Sequence, residues 1–343
     1  MKIAVLFYGQ PRFFDLTKER YLKEFNIPNY TFDFFIHFWE DIGYTPREDT
    51  HNSYDHNSTL KEDVEYLQPK KYSITDYASL DKLNWILKNT HDFFLSGKIK
   101  TKKFQPKSRY AFGQHLSLKT AYKLMEKYEN EQGFKYDFVI KARSDFIFKD
   151  KLFYKNVDVY NKSKIEYYGL NNTKMGDNYV HTVALALQHY NLEEQKWKLT
   201  LINEYEPHMS IPRDKYNTMR CGDVAVSATR KAAESLFNRW FEGYTDMLLR
   251  DIRYNNPTQL QVHRRHDTLQ GEIILNNNIS AYRIKKGRLH RVAYKNLIKD
   301  KWQNHSLILL DKDSTTKRED IRNAMIDFAK ADPKYHYQEN ENI

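Results

Sequence analysis

The segment YDFVIKARSDFIF, residues 136–148, sets Lys141, Arg143 and Asp145 between two apolar runs, Phe138-Val139-Ile140 and Phe146-Ile147-Phe148. A buried strand reads as an unbroken apolar run, so charges at its end have to be paired, exposed or used on a ligand. Arginine grips phosphate oxygens in bidentate fashion, and an aspartate is a hard oxygen ligand for Mg²⁺ or Mn²⁺ bridging a diphosphate. Two other apolar runs end in comparable groups. Ile3–Tyr8 leads into Gly9, Gln10 and Arg12, and Asp33–Trp39 carries His37 and Trp39 into Glu40 and Asp41. A glycine at such an end lets the backbone approach a ligand closely. An Arg143–Asp145 or Arg12–Asp145 ion pair that merely closes the strand ends is the competing assignment.

The elements that must position these groups follow from periodicity. Residues 3–8, 33–39 and 72–74 read as strands, with a helix around 15–25 between the first two. Residues 43–60 are polar and rich in His, Asn and Asp, as in a loop. Leu118, Ala121, Tyr122, Met125 and Tyr128 recur at three- and four-residue spacing, which predicts a helix over about 108–131. Gly133 stops it just before the charged strand. Strand, helix, strand, helix, strand argues for an α/β sandwich with a largely parallel sheet, and ligands of such sheets bind beyond the carboxyl ends of the strands.

The second half is less regular. Residues 165–190 contain strand-like pieces, 191–205 read as helical, and 230–250 as a helix with Ala233, Leu236, Phe237 and Trp240 on one face. A helix from 267–268 to about 276–278, a strand over 279–284 and a last helix using Ile321, Ala324, Met325 and Phe328 complete the reading, with a frayed tail after Pro333. No internal repeat and no shift in composition divides the chain.

The 343 residues carry a net charge of +10 with 26 Tyr and 20 Phe, a balance suited to polyanions or anionic small molecules. Arg264, Arg265, Lys285, Lys286, Arg288 and Arg291 form a basic stripe with Tyr282, Tyr294 and Trp302 interleaved. It could neutralise DNA phosphates; a solvated basic face is the alternative. A non-catalytic nucleic-acid-binding module using this stripe is the second functional class. The single cysteine, Cys221, excludes an internal disulfide framework and a cysteine zinc cluster. With no apolar stretch near 18 residues and no signal-peptide layout at the start, a cytoplasmic protein is expected, in the host cytosol if viral. No G-x-x-x-x-G-K-[ST] loop is present, which argues against a P-loop hydrolase.

In their order, IAVLFYGQPRFF, FDFFIHFW, a long helix and YDFVIKARSDFIF resemble the GT-A-type glycosyltransferase-like proteins of capsular-polysaccharide, giant-virus and phage gene clusters. The resemblance covers the first 150 residues and continues more weakly through CGDVAVSATRKAAESL and HDTLQGEIILNNNI. It implies a GT-A-like Rossmann-type sandwich with a mostly parallel central sheet and an α-rich C-terminal extension. The implied domain is 1–312, with a nucleotide-sugar-binding half (1–150) and an acceptor half (151–312), followed by a C-terminal helix and tail (313–343). The implied reaction moves a sugar from a nucleoside-diphosphate sugar to a hydroxyl with the help of Mn²⁺ or Mg²⁺. Tyr8, Gly9, Gln10, Arg12, His37, Trp39, Arg143 and Asp145 would then hold the donor.

Asp145 stands where the family places the last acid of its D-x-D motif, and His290 where some members bring a C-terminal histidine to the metal. This chain has Arg143 in place of the first acid, and His266-Asp267 where the family tends to have Pro-Glu. A base for the acceptor hydroxyl would come from Asp223, Glu272 or Asp267; a turn carboxylate, a helix-surface acid and an N-cap are their respective structural alternatives. The acceptor would be a glycan, a lipid-linked saccharide or a hydroxymethylated base of phage DNA. The oligomeric state stays open.

Overall fold

The computed structural model describes residues 1–12, 14–40, 59–75, 105–148, 156–171, 176–182, 185–191, 193–194, 196–209, 211, 217–222, 225–239, 266–284, 289–294 and 306–310. The first half builds β1 (Lys2–Gly9), α1 (Phe14–Glu24), β2 (Thr31–Trp39), α2 (Leu60–Tyr66), β3 (Lys71–Thr75), α3 (Gln105–Gln132), β4 (Phe138–Ala142) and β5 (Phe146–Phe148). The second half adds α4 (Val157–Tyr168), β6 (Tyr179–Thr182), β7 (Leu185–Asn191), β8 (Lys196–Leu201), β9 (Glu204–Tyr205), β10 (Asn217–Cys221) and β11 (Ala225–Thr229). Then follow α5 (Arg230–Ala233), running on as a π-helical turn over Glu234–Asn238, α6 (His266–Asn276), β12 (Ser280–Arg283), β13 (Leu289–Tyr294) and β14 (Ser306–Leu310).

Eight strands form the central sheet in the order β3-β2-β1-β4-β11-β6-β12-β9. Strands β3, β2, β1 and β4 are mutually parallel, and β6 and β12 share their direction; β11 and the two-residue β9 run the other way. The expected α/β sandwich with a mostly parallel sheet is therefore present. Both faces are covered, as the continuous apolar strands require. Along β1, Ala4, Leu6 and Tyr8 join Leu118, Tyr122 and Met125 of α3 in one core. Ile3, Val5 and Phe7 join Phe14 and Tyr21 of α1 and Tyr167 and Tyr168 of α4 in the other.

Gly133 (φ +69°) ends α3, with the Phe134 N–H returning to the Glu129 carbonyl at 3.2 Å. Glu129 itself, fully buried, accepts the fork of Arg230 through Nε (2.8 Å) and Nη2 (2.9 Å), which fastens α5 to α3. Helix α6 lies against β10 through Gly271, where a Cβ would sit 2.0 Å from the Met219 carbonyl oxygen.

The helix expected over 191–205 is instead the antiparallel hairpin β7–β8 followed by β9. The reason is period two: Trp197, Leu199 and Leu201 alternate with Lys196, Lys198 and Thr200. The helix expected from 267–268 to about 276–278 is α6; the part of the expected helix 230–250 beyond residue 239 and the helix around 321–328 lie outside the described residues. Among the described residues no helix is long and apolar enough to cross a membrane.

Candidate functional site

Parallel pairing of β1 with β4, from Ile3↔Phe138 to Phe7↔Ala142, brings Gly9–Arg12 beside Arg143–Asp145 at the carboxyl edge of the sheet. Gly9 has φ +88° and no neighbour within 4 Å of where a Cβ would stand; a side chain there would be strained. The backbone then carries Arg12 back over the strand end.

Three charges meet at this edge. Arg143 donates from Nε and Nη2 to Asp145 Oδ1 and Oδ2 at 2.9 and 2.7 Å, a bidentate pair. Arg12 Nη1 lies 3.9 Å from Asp145 Oδ2, and Arg12 Nε donates to Gln10 Oε1 at 2.9 Å. The ion pairs named as the competing assignment are therefore both made. Burial separates the partners, however. The Asp145 side chain is 3% exposed, whereas Arg12 and Arg143 remain 22% and 21% exposed. Among the described residues, two guanidinium groups thus face one carboxylate, with the acid at the bottom. The Arg143 guanidinium also lies 5.1 Å from the Phe146 ring centroid, so a flat, oriented donor is held on two sides.

The turn that carries Asp145 is held by α1. Thr17 Oγ1 donates to the Ser144 carbonyl at 2.9 Å. Tyr21 OH reaches the Arg143 and Phe146 carbonyls at 3.0 and 2.9 Å. Glu24 accepts from the Phe148 N–H at 3.0 Å and from Tyr168 OH. Residues 17, 21 and 24 share one helical face, so α1 reads the backbone of 143–148 like a comb. Ser144 Oγ closes the unit by donating to the Gln10 carbonyl at 2.9 Å, tying the two arginine segments together. Burial pushes the Tyr21 phenol well above its ordinary range, so it stays a donor at any working pH. Burial also raises Glu24, against the opposing pull of Tyr168, the Phe148 N–H and Lys164.

The other strand end is fixed from the opposite face. Ser117 of α3 accepts from the Gly9 N–H at 2.6 Å and donates to the His37 carbonyl at 3.0 Å. Ser117 Oγ also lies 2.6 Å from His37 Nδ1, a contact whose direction follows the tautomer of the ring. Burial drives the His37 pKa down to about 4, so the ring is neutral. Trp39 Nε1 donates to the Gly113 carbonyl at 3.2 Å. At 2% and 4% exposure, His37 and Trp39 are fastened to α3 and support the floor of the edge. Tyr8 is buried below it, accepting from Gln114 Nε2 at 3.4 Å, and the ammonium of buried Lys141 stands 5.6 Å from the Tyr8 ring centroid.

The remaining candidates are distributed unevenly. Asp223, Arg264, Arg265, Lys285, Lys286 and Arg288 lie outside the described residues. Next to the first of them, the Gly222 carbonyl accepts from Thr182 Oγ1 at 3.2 Å and Ala225 pairs with Ala142, so both neighbours sit on the same carboxyl edge. Asp267 occupies the first turn of α6, one turn before Gln270, whose Oε1 meets Cys221 Sγ at 3.8 Å. Glu272 is half-buried and, two residues on, about 200° around the helix from Gln270. In β13, His290 pairs with Ile147 and Arg291 with Phe146, so Arg291 holds the register position nearer Asp145. Cys221 is fully buried.

The residues around Asp145 do not fit a divalent cation. An incoming ion would have to take oxygens that receive Arg143 N–H groups, with a second guanidinium 3.9 Å away. The role of metal ligand expected of Asp145 has to contend with a carboxylate charge that is already matched by two cations. Thr17, Ser117, Tyr21, Glu24 and Ser144 were not among the expected site residues. The signal for the first four was polar side chains on helical faces that the sheet must bury; Ser144 lies in the turn between β4 and β5.

No family model matches the chain, and no curated protein matches it. Among solved structures, the apo form of the glycosyltransferase GlyE of Streptococcus pneumoniae TIGR4 is 12% identical with a TM-score of 0.28, over 82% of this chain and 45% of that one. The nucleoside-diphosphate-sugar pyrophosphorylase from Vibrio cholerae RC9 is 11% identical with a TM-score of 0.28, over 84% and 93%. The galactosyltransferase LgtC, in complex with donor and acceptor sugar analogues, is 9% identical with a TM-score of 0.25, over 84% and 88%. The chain thus spans less than half the length of the GlyE chain. Likenesses this distant assign no role to any residue here, and the site stands on its own distances.

Proposed function

We propose that the protein is a glycosyltransferase that moves a sugar from a nucleoside-diphosphate sugar to an acceptor hydroxyl. One observation supports this above the others: Arg12 and Arg143 converge on the buried Asp145 at the carboxyl ends of adjacent parallel strands, beside the open backbone of Gly9. That is where an α/β sheet binds its ligand, and preorganised cations there would stabilise a departing diphosphate. In the reaction, the bond from the sugar's anomeric carbon to the diphosphate breaks and the diphosphate keeps the electron pair. A bond forms to the acceptor oxygen, whose proton passes to a carboxylate.

Asp223 is the proposed base, flanked by residues at the same edge, with Asp267 the second choice. The division into a donor half (1–150) and an acceptor half (151–312) is part of this reading. So is an acceptor among glycans or hydroxymethylated DNA bases, which the basic residues 264–291 would serve in the second case. A cytoplasmic location belongs to the same proposal.

The test is a panel of nucleotide sugars in a thermal-shift assay, followed by detection of nucleoside diphosphate released in the presence of oligosaccharide or hydroxymethylated DNA. A ligand at 100 times its Kd adds about 2.7 kcal/mol of stability, which is readily seen. A panel in which nothing shifts the melting transition overturns the proposal.

A further inference from the structure

We infer that diphosphate binding at this edge is independent of divalent metal, with Arg12 and Arg143 supplying the positive charge and Asp145 acting as a positioning residue that never ligates an ion. The inference rests on the nucleotide-sugar reading above and specifies how that site meets its ligand.

The argument starts from burial. A carboxylate that serves as a metal ligand has to present oxygen lone pairs to the ion at the ligand-facing surface. Asp145 does the opposite: its side chain is 3% exposed and lies beneath its partners, while both arginine side chains are about a fifth exposed. Its two oxygens face Arg143 in the parallel-fork geometry that fixes a guanidinium plane, and the second of them also faces Arg12. The acid therefore works on the arginines. It cancels part of their mutual repulsion, which would otherwise drive two cations on adjacent strands apart, and it sets the direction in which each plane points.

The framework around it is built to hold this geometry. Gln10 Oε1 takes Arg12 Nε, Ser144 Oγ ties the two loops, and Thr17 and Tyr21 hold the 143–146 backbone. A divalent ion inserted beside Asp145 would meet two fixed positive charges in a partly desolvated setting, where like-charge repulsion is poorly screened. A diphosphate would meet the same two charges favourably. The anion is thus matched by fixed protein cations, and an ion brought in with it is not required.

The experiment is isothermal titration of the full chain with inorganic pyrophosphate and with uridine, guanosine and thymidine diphosphates, once in EDTA and once in excess Mn²⁺. The inference expects binding in EDTA with a Kd within about threefold of that in Mn²⁺. Arg143→Ala and Arg12→Ala are each expected to weaken it by about 10- to 100-fold, the loss of a charge-assisted contact. Asp145→Asn is expected to weaken binding in EDTA and in Mn²⁺ by the same factor, which a metal ligand would not do. Arg143→Lys keeps the charge without the fork and serves if Arg143→Ala does not fold; the EDTA–Mn²⁺ comparison on wild type needs no variant.

Binding that appears only with Mn²⁺ overturns the inference and leaves the transferase reading standing. Binding in EDTA that neither arginine variant alters also overturns it, since the site then lies elsewhere. Absence of binding under both conditions removes the nucleotide reading, and this inference with it.

Discussion

Removing the Tyr21 hydroxyl tests whether α1 holds the turn that carries Arg143 and Asp145. The phenol is 1% exposed, and its single hydrogen is shared between the Arg143 and Phe146 carbonyls at 3.0 and 2.9 Å. Tyr21→Phe keeps the ring contacts with Phe7 and Phe14 and deletes only the donor. A buried hydrogen bond contributes about 0.5–1.5 kcal/mol net, and stranding a buried acceptor costs about 1–3 kcal/mol. The Arg143 carbonyl keeps a long contact from the Phe146 N–H at 3.4 Å, and Phe146 pairs with Arg291 of β13, so the variant removes a shared donor without baring either strand end. The expected loss is about 1–2 kcal/mol. Urea unfolding followed by tryptophan fluorescence measures it as a lower midpoint at unchanged slope. Tyr72→Phe is the internal control, because its hydroxyl bonds Glu65 in an exposed setting, where the expected change is under about 0.5 kcal/mol. If the two variants lose the same amount, the comb does not hold the turn and the preorganisation argument fails.

Three further outcomes are expected. Gly271→Ala should destabilise by about 3 kcal/mol despite the better helix propensity of alanine, since a Cβ 2.0 Å from the Met219 carbonyl oxygen cannot be relieved by a side-chain rotation; an unfolding midpoint equal to wild type would refute the close approach. Arg230→Ala should cost about 3–5 kcal/mol by leaving buried Glu129 with only the Tyr136 N–H and Lys135, and a loss below 1 kcal/mol in the same urea assay would show the fork to be idle. Stability should also fall as pH drops from about 6.5 towards 4. Burial holds His37 and His181 near 4, so the unfolded chain binds protons that the native state refuses, at about 1.4 kcal/mol per pH unit for each ring. Glu129, pushed up by burial but drawn down further by Arg230, Tyr136 and Lys135, adds its own loss below pH 4.5; flat urea midpoints between pH 7.5 and 5 would contradict the histidine assignment.

The strands of the first half and the meeting of Gly9–Arg12 with Arg143–Asp145 are legible in the sequence because both follow from apolar runs ending in unusual groups. What the charges do there is not. Spacing shows that Asp145 is two residues from Arg143, but not that it lies below the guanidinium rather than above it; that depends on which backbone groups α1 reaches. Thr17, Tyr21 and Glu24 belong to a helix whose buried face is partly polar, and polarity at such positions looks like exposure until the partners are known. Helix α4 does not show in the sequence, although Asn156 caps it and Gly169 ends it, because the apolar side chains it buries are all tyrosines, Tyr160, Tyr167 and Tyr168. The hairpin β7–β8 was misread because lysines between Trp197, Leu199 and Leu201 suit a helix surface as well as a strand.

The reversed strand β11 has a consequence for how the chain is made. It is the sole link between β4 and β6 within the central sheet, and it is synthesised only after residue 224. Until then, the far side of β4 is an unpaired edge reading FVIKA in a chain whose parallel half is otherwise complete, the condition under which nascent sheets pair with one another. Lys141 sits in that edge, opposite the place Val226 will take. Its side chain is buried in the finished protein. A lysine in an open edge strand disfavours pairing with another chain, and Lys141 occupies such an edge only until β11 has been made.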